Sequence, residues 1–223
     1  LKPDMTPDDN DRVEIGPTDI AFAEWKAAGL VAPDMPALRA YRLARLQEQI
    51  ARHDCAGLLL FDPLNIRYAT DTTNMQLWTT HNPARAAFVP PQGKVILWDF
   101  HNCEHLSAHL PLVGEVRHGA SFFYFETGDK TAAAAAHFVD EIMGLMKTHG
   151  GSNRRLAVDK IENAGYAALI ANNVDVLEGQ MLTEHARSIK NANELQAMRC
   201  AIHACERAVD EMRDAMHPGV AES

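Results

Sequence analysis

Six consecutive residues, Ala56-Gly57-Leu58-Leu59-Leu60-Phe61, carry no polar side chain. A run of strand length that is apolar at every position needs cover on both faces, which predicts an inner strand with layers packed above and below it. The neighbouring segments suit that layering. Pro36 opens a helix with Leu38, Tyr41, Leu43, Leu46 and Ile50 toward a core, and with Arg39, Arg42, Arg45, Gln49 and Arg52 toward solvent. Ala86-Ala87-Phe88-Val89 and Val95-Ile96-Leu97-Trp98-Asp99 flank Pro90-Pro91-Gln92-Gly93-Lys94, which has the composition of a hairpin loop. An alanine-rich helix over 132–146 is followed by strand, helix and strand signals at 156–159, 164–171 and 174–177. The fold class predicted is a mixed α/β layer domain without internal repeats. Ile20, Phe22, Trp25 and Leu30 suggest a short helix before it, and the acidic, proline-bearing arm 1–18 is expected to be irregular.

Near the carboxyl terminus, Leu195, Met198, Ile202, Cys205, Val209, Met212 and Met216 recur at alternating steps of three and four, one stripe of a helix of about seven turns. Asn191 with Glu194 suits a capping box, and Pro218-Gly219 is a stop signal. Such a stripe predicts a face packed against a core, with a coiled coil as the alternative.

Composition narrows the function classes. The formal charge of −9 leaves no basic stripe to neutralise phosphates, so nucleic acid is not an expected partner. No apolar run approaches the ~18 residues of a membrane span, and residues 1–11 do not read as a basic secretory leader. Cys55, Cys103, Cys200 and Cys205 form no C-x-x-C pair, so reduced thiols and a cytoplasmic location are expected. His101, His105 and His109 lie four apart and would share one face of a helix. Glu104 directly precedes the second of them, which is not the zincin arrangement, so a solvated face is the expectation.

Two longer motifs resemble a known superfamily. Arg187-Ser188-Ile189-Lys190, then Glu194-Leu195, Met198-Arg199-Cys200-Ala201 and Pro218-Gly219-Val220-Ala221-Glu222 look like the approach to the "pita-bread" catalytic domain of the creatinase, prolidase and aminopeptidase P superfamily. Asn65-Ile66-Arg67-Tyr68-Ala69-Thr70-Asp71 is similar to the Asn-x-x-Tyr-Leu-Thr-Gly signature of its N-terminal domain, with Asp71 where glycine is usual. The run from Asp71 through Trp78, His81 and Arg85, together with Trp98-Asp99-Phe100 and Phe122-Phe123-Tyr124-Phe125-Glu126, resembles the dimethylsulfoniopropionate lyases of that superfamily.

The resemblance implies an arm and short helix over 1–35, a creatinase-type N-terminal domain with a mixed sheet flanked by helices over 36–186, and a linker plus the first pita-bread helix over 187–223. It implies elimination of dimethyl sulfide from a sulfonium substrate to leave acrylate. A dinuclear metal centre, with iron the expected metal, would be bound by residues beyond Ser223, so no catalytic residue or metal ligand is assigned within this chain. The further partners implied are the chain's own C-terminal catalytic domain and a second subunit in a homodimer. Trp78, Arg85 and His81 are the expected substrate-binding residues: an indole face attracts a sulfonium cation, and a guanidinium fork suits a carboxylate. An Xaa-Pro peptidase built on the same cage, or a non-catalytic binding module, are the alternatives.

Overall fold

The structure, a computed structural model, describes residues 16–219, so most of the acidic arm lies outside the described residues. Helices α1 (Asp19–Ala27) and α2 (Met35–Arg52) precede strand β1 (Gly57–Leu60) and helices α3 (Pro63–Thr70) and α4 (Gln76–His81). Strands β2 (Ala86–Val89), β3 (Val95–Trp98) and β4 (Val113–Arg117) follow, then a single turn α5 (Tyr124–Thr127) and the long α6 (Thr131–Gly150). The remainder is β5 (Arg155–Val158), α7 (Asn163–Ala171), β6 (Asp175–Glu178), α8 (Gly179–Ser188) and α9 (Ala192–Ala215).

The six strands form one mixed sheet in the order β4-β3-β2-β1-β5-β6. β1 is parallel to β5, and β5 to β6; β2 runs antiparallel to both β1 and β3, and β3 is parallel to β4. β2 alone is therefore reversed, and the other five strands end at one common edge. β1 lies between β2 and β5, and its four residues are all buried, as its apolar run requires. Alternation divides it between two cores. Leu59 joins Phe61, Phe88, Trp98, Phe138 and Ile142 beneath α6, whereas Leu58 and Leu60 join Leu46, Ile50, Ile66, Val89 and Leu182 beneath α2, α3 and α8. Removing each of these leucines from water contributes about 1.5–3 kcal/mol, so the strand anchors both layers.

Several elements depart from the periodicity. Gln49, placed on the solvent face by the pattern, is buried, because α2 is covered over a wider arc than its leucines mark. β4 is an edge strand whose residues are all exposed or half-buried, so it lacks the apolar signal of an inner strand. α8 carries only Gly179, Leu182, Thr183 and Ala186 on its buried side, and it is pinned by Arg45 Nε donating to the Ala186 carbonyl at 3.3 Å and by the Tyr41 hydroxyl donating to the Ile189 carbonyl at 3.0 Å.

The chain divides into two compact units, one over Arg39–Ile189 and one made of residues 16–38 with 190–219. In the second unit the Asn191 capping box forms as expected, with Glu194 N–H donating to Asn191 Oδ1 at 2.9 Å. Asn193 Oδ1 accepts from Asp34 N–H at 3.0 Å, and Trp25 and Cys200 are buried. The apolar stripe is not. Leu195, Met198, Ile202, Val209, Met212 and Met216 are 44–72% exposed, so the described residues do not supply the cover that the stripe calls for.

Helices draw most of their stability from a buried face, so amides of α9 beyond Cys200 should exchange faster than those of β1 by on the order of a hundredfold or more in a hydrogen-exchange experiment on this chain. The inner strand has its own steric test. A Cβ added at Gly57 would sit 2.4 Å from Cζ of Phe88, so Gly57→Ala should destabilise the domain by about 1–3 kcal/mol, read as a lower denaturation midpoint.

Candidate active-site face

Strands that end at one edge leave backbone N–H groups there without ladder partners, and acidic side chains supply acceptors. Asp62, after β1, caps α3 by accepting from Leu64 N–H at 2.8 Å and Asn65 N–H at 3.2 Å. Asp159, after β5, accepts from Phe61 N–H at 2.8 Å and Asp62 N–H at 3.2 Å. Asp99, after β3, accepts from Phe100 N–H at 2.8 Å. Glu178, closing β6, accepts from Gln180 N–H at 3.0 Å. Open α/β sheets place ligands outside the carboxyl ends of their strands, so this edge is where a site is to be sought.

Three of the sequence runs singled out above converge there. Trp78 on α4 lies 5.6 Å from the ring of Phe100 and 6.3 Å from that of Phe123, and Phe123 stacks on Phe125 at 6.5 Å. Trp78 is half-buried and Phe123 buried, while Leu77, Tyr124 and Phe125 are 89%, 72% and 85% exposed. His81 ends α4 and is exposed. Lys160 Nζ donates to the Thr80 carbonyl at 3.0 Å, tying α4 to the end of β5.

Arg85 sits differently from these. It is 1% exposed, and its Nη2 donates to Asp99 Oδ2 at 2.9 Å and to Thr72 Oγ1 at 2.8 Å. Its Nε and Nη1 are buried without a hydrogen-bond partner among the described residues. Asp99 Oδ1 also accepts from Asn74 Nδ2 at 2.8 Å, and Thr72 N–H donates to Thr70 Oγ1 at 3.1 Å. The guanidinium is thus part of an internal network joining the two ends of segment 71–85, and the fork that suits a carboxylate is turned inward.

The histidine cluster does not form the shared face that its spacing allows. Residues 101–109 are turn and a single 3-10 turn at Glu104–Leu106, with Asn102 at φ 64°, so no α-helix carries the three rings. His118 lies 2.7 Å from the Glu104 carboxylate, and its ring is 5.5 Å from that of His101. Among the described residues no three His, Cys, Asp or Glu side chains converge to hold a metal ion, so these residues do not make up a ligand set. Burial pushes the Cys55 thiol up to about 11, which keeps it protonated and unreactive. No helix among the described residues is long and apolar enough to cross a membrane.

A family model for the creatinase/prolidase N-terminal domain matches residues 42–213. The chain belongs to that family. It is 52% identical over 94% of its length to a dimethylsulfoniopropionate lyase DddP of Roseovarius nubinhibens, and 51% identical over 95% to that of Roseobacter denitrificans. The chain spans about half of those relatives, 47% of each. In fold it is similar to an Xaa-Pro dipeptidase from Bacillus anthracis, with a TM-score of 0.55 at 17% identity over 81% of this chain and 44% of that one. A prolidase from Pyrococcus horikoshii OT3 gives a TM-score of 0.54 at 11% identity over the same shares.

The family signature has a structural explanation here. Asn65 is buried, and its Nδ2 donates to Asp159 Oδ2 at 2.9 Å, joining the start of α3 to the end of β5. Arg42 stacks over the Tyr68 ring at 5.2 Å. Asp71 keeps the left-handed turn expected of the usual glycine, with φ 66°, and its carboxylate accepts from Arg39 Nε at 2.8 Å. Sequence reasoning missed Asp99 and Asp159; the available signal was an aspartate directly after a buried apolar strand, in Trp98-Asp99 and Val158-Asp159.

Burial raises the Asp159 carboxyl from 3.8 to about 6, against the lowering effect of its three N–H donors and with a smaller raising contribution from Asp62. A carboxyl raised on folding contributes stability that is full below pH 3.8 and is lost as pH climbs through about 6. Asn has no proton to lose, and an Asn65 amide turned over can accept from its Nδ2. The stability of wild type relative to Asp159→Asn should therefore fall as pH rises from 4 to 7 in parallel urea titrations; a constant difference refutes the shift.

Proposed function

We propose that the full-length protein is a metal-dependent lyase that cleaves dimethylsulfoniopropionate to dimethyl sulfide and acrylate, and that this chain is its amino-terminal half. The observation that carries the reading is 52% identity to a dimethylsulfoniopropionate lyase over 94% of the chain.

The reaction removes a proton from the carbon beside the substrate carboxylate, forms the acrylate double bond, and breaks the carbon–sulfur bond with its electron pair leaving on sulfur. A metal centre held by residues outside this chain would anchor the carboxylate and offset negative charge as it develops. Iron, two metals per site, a homodimer and a cytoplasmic location are parts of the same proposal.

This half serves dimerisation and closes the active site with its aromatic face. A sulfonium cation offers no strong hydrogen-bond donor, so recognition falls to π faces and to exclusion of water. Trp78 supplies the indole face, with Phe100 and Phe123 behind it and exposed Phe125 beside them. His81, exposed at the end of the same helix, meets the substrate's polar end in this reading. Arg85 contributes through its internal pair with Asp99.

The full-length protein should release dimethyl sulfide into headspace and leave Xaa-Pro dipeptides intact; the opposite pattern would replace the lyase with a peptidase. Trp78→Ala should lower kcat/KM for dimethylsulfoniopropionate by roughly tenfold, with metal content and subunit mass unchanged. Loss of the dimer in that variant would make Trp78 an interface residue instead.

A further inference from the structure

We infer that Asp99 is the positioning residue of the aromatic face, acting through Trp78 without touching substrate. The inference rests on the reading of Trp78 as substrate-facing.

Segment 71–85 leaves α3, forms the short helix α4 and returns into β2. Its backbone turns through left-handed conformations at Asp71, φ 66°, and Met75, φ 42°, and the residue at each is not glycine. Such a path costs about 1–3 kcal/mol per strained residue and persists only where the surroundings over-determine it. Asp71 has its own ion pairs, with Arg39 and Arg67. Met75 has no charged side chain; the Thr79 hydroxyl donates to its carbonyl at 3.1 Å, and the next anchor is Asn74, whose Nδ2 donates to Asp99 Oδ1 at 2.8 Å.

The same carboxylate reaches three points that fix the indole. Through Asn74 it holds the residue just before the N-cap of α4. Through Arg85 Nη2, at 2.9 Å, it holds the residue that enters β2 and, by way of that guanidinium, Thr72. Through Phe100 N–H, at 2.8 Å, it holds the backbone of a ring that packs on Trp78. Asp99 and Arg85 are 0% and 1% exposed at the side chain, so water does not compete for the bond between them. With Arg85 Nε and Nη1 unpartnered, Asp99 is the only carboxylate neutralising this guanidinium among the described residues. A carboxylate is required because a neutral acceptor would leave a buried charge uncompensated.

The decisive experiment combines kinetics with a spectroscopic readout in the full-length, metal-replete protein. Asp99→Asn should lower kcat/KM for dimethylsulfoniopropionate by about tenfold in an otherwise wild-type background, and by less than about twofold when Trp78 is already alanine. A full tenfold loss in both backgrounds overturns the inference, because the aspartate then acts independently of the indole. Fluorine NMR of fluorotryptophan-labelled protein reads the position directly. The Trp78 resonance is the one lost in Trp78→Phe. It should broaden and move in Asp99→Asn, and an unchanged Trp78 resonance overturns the inference. Should Asp99→Asn not fold, Asn74→Ala removes one of the same bonds without stranding a buried charge, and it should disturb the same resonance. The resonances report whether or not the protein acts on dimethylsulfoniopropionate, so failure of the lyase reading leaves this test standing.

Discussion

Because every strand of the sheet except β2 ends at one edge, the chain must satisfy a row of backbone N–H groups where its ladders stop. The acids that follow the strands meet that demand, and two of them, Asp159 and Asp99, also reach a neighbouring segment. Asp159 binds the backbone after β1 and the side chain of Asn65 together. Asp99 binds the backbone after β3 and both ends of segment 71–85. Termination of strands and placement of the functional loop are thus one structural solution. The cost is carboxylate desolvation, offset at Asp99 by Arg85 and at Asp159 by three N–H donors, with proton uptake relieving it as pH falls through about 6.

The two buried acids are compensated differently, and the difference follows from their roles. A charge pair such as Arg85–Asp99 contributes little net stability relative to apolar residues of similar volume, but it fixes direction, since guanidinium and carboxylate bond along defined lines. Direction is what a loop carrying a recognition aromatic requires. Asp159 joins elements already pressed together by the core around β1, and neutral hydrogen bonds suffice there.

Much of this was legible in the residues. The apolar run 56–61 gave the inner strand, the proline-rich stretch 90–94 separated β2 from β3, and Asn191 with Glu194 formed the capping box. What escaped had weak local signal. β4, Val-Gly-Glu-Val-Arg, is half solvated and held by its partner strand more than by its own pattern. Residues 76–81 carry little local signal because α4 has only six residues and no side-chain N-cap. Trp78 stood out as an aromatic in the run after the Asn-x-x-Tyr signature. Its neighbours Phe100 and Phe123 meet it only through sheet topology, which no local spacing reports. The stripe on α9 was correctly periodic, yet periodicity states which face is apolar and not whether this chain supplies the cover.

Asp71 carries a consequence for how the turn after α3 is kept. A glycine there would enter the left-handed region without strain but would give up more backbone freedom on folding. Aspartate reverses that balance: it is strained in the folded turn at φ 66° and less free in the unfolded chain. Its carboxylate, between Arg39 and Arg67, draws two helices to the same turn. The turn is therefore held partly by charge, and salt that screens the half-exposed Arg67 contact would loosen it in a way that a glycine turn would not feel.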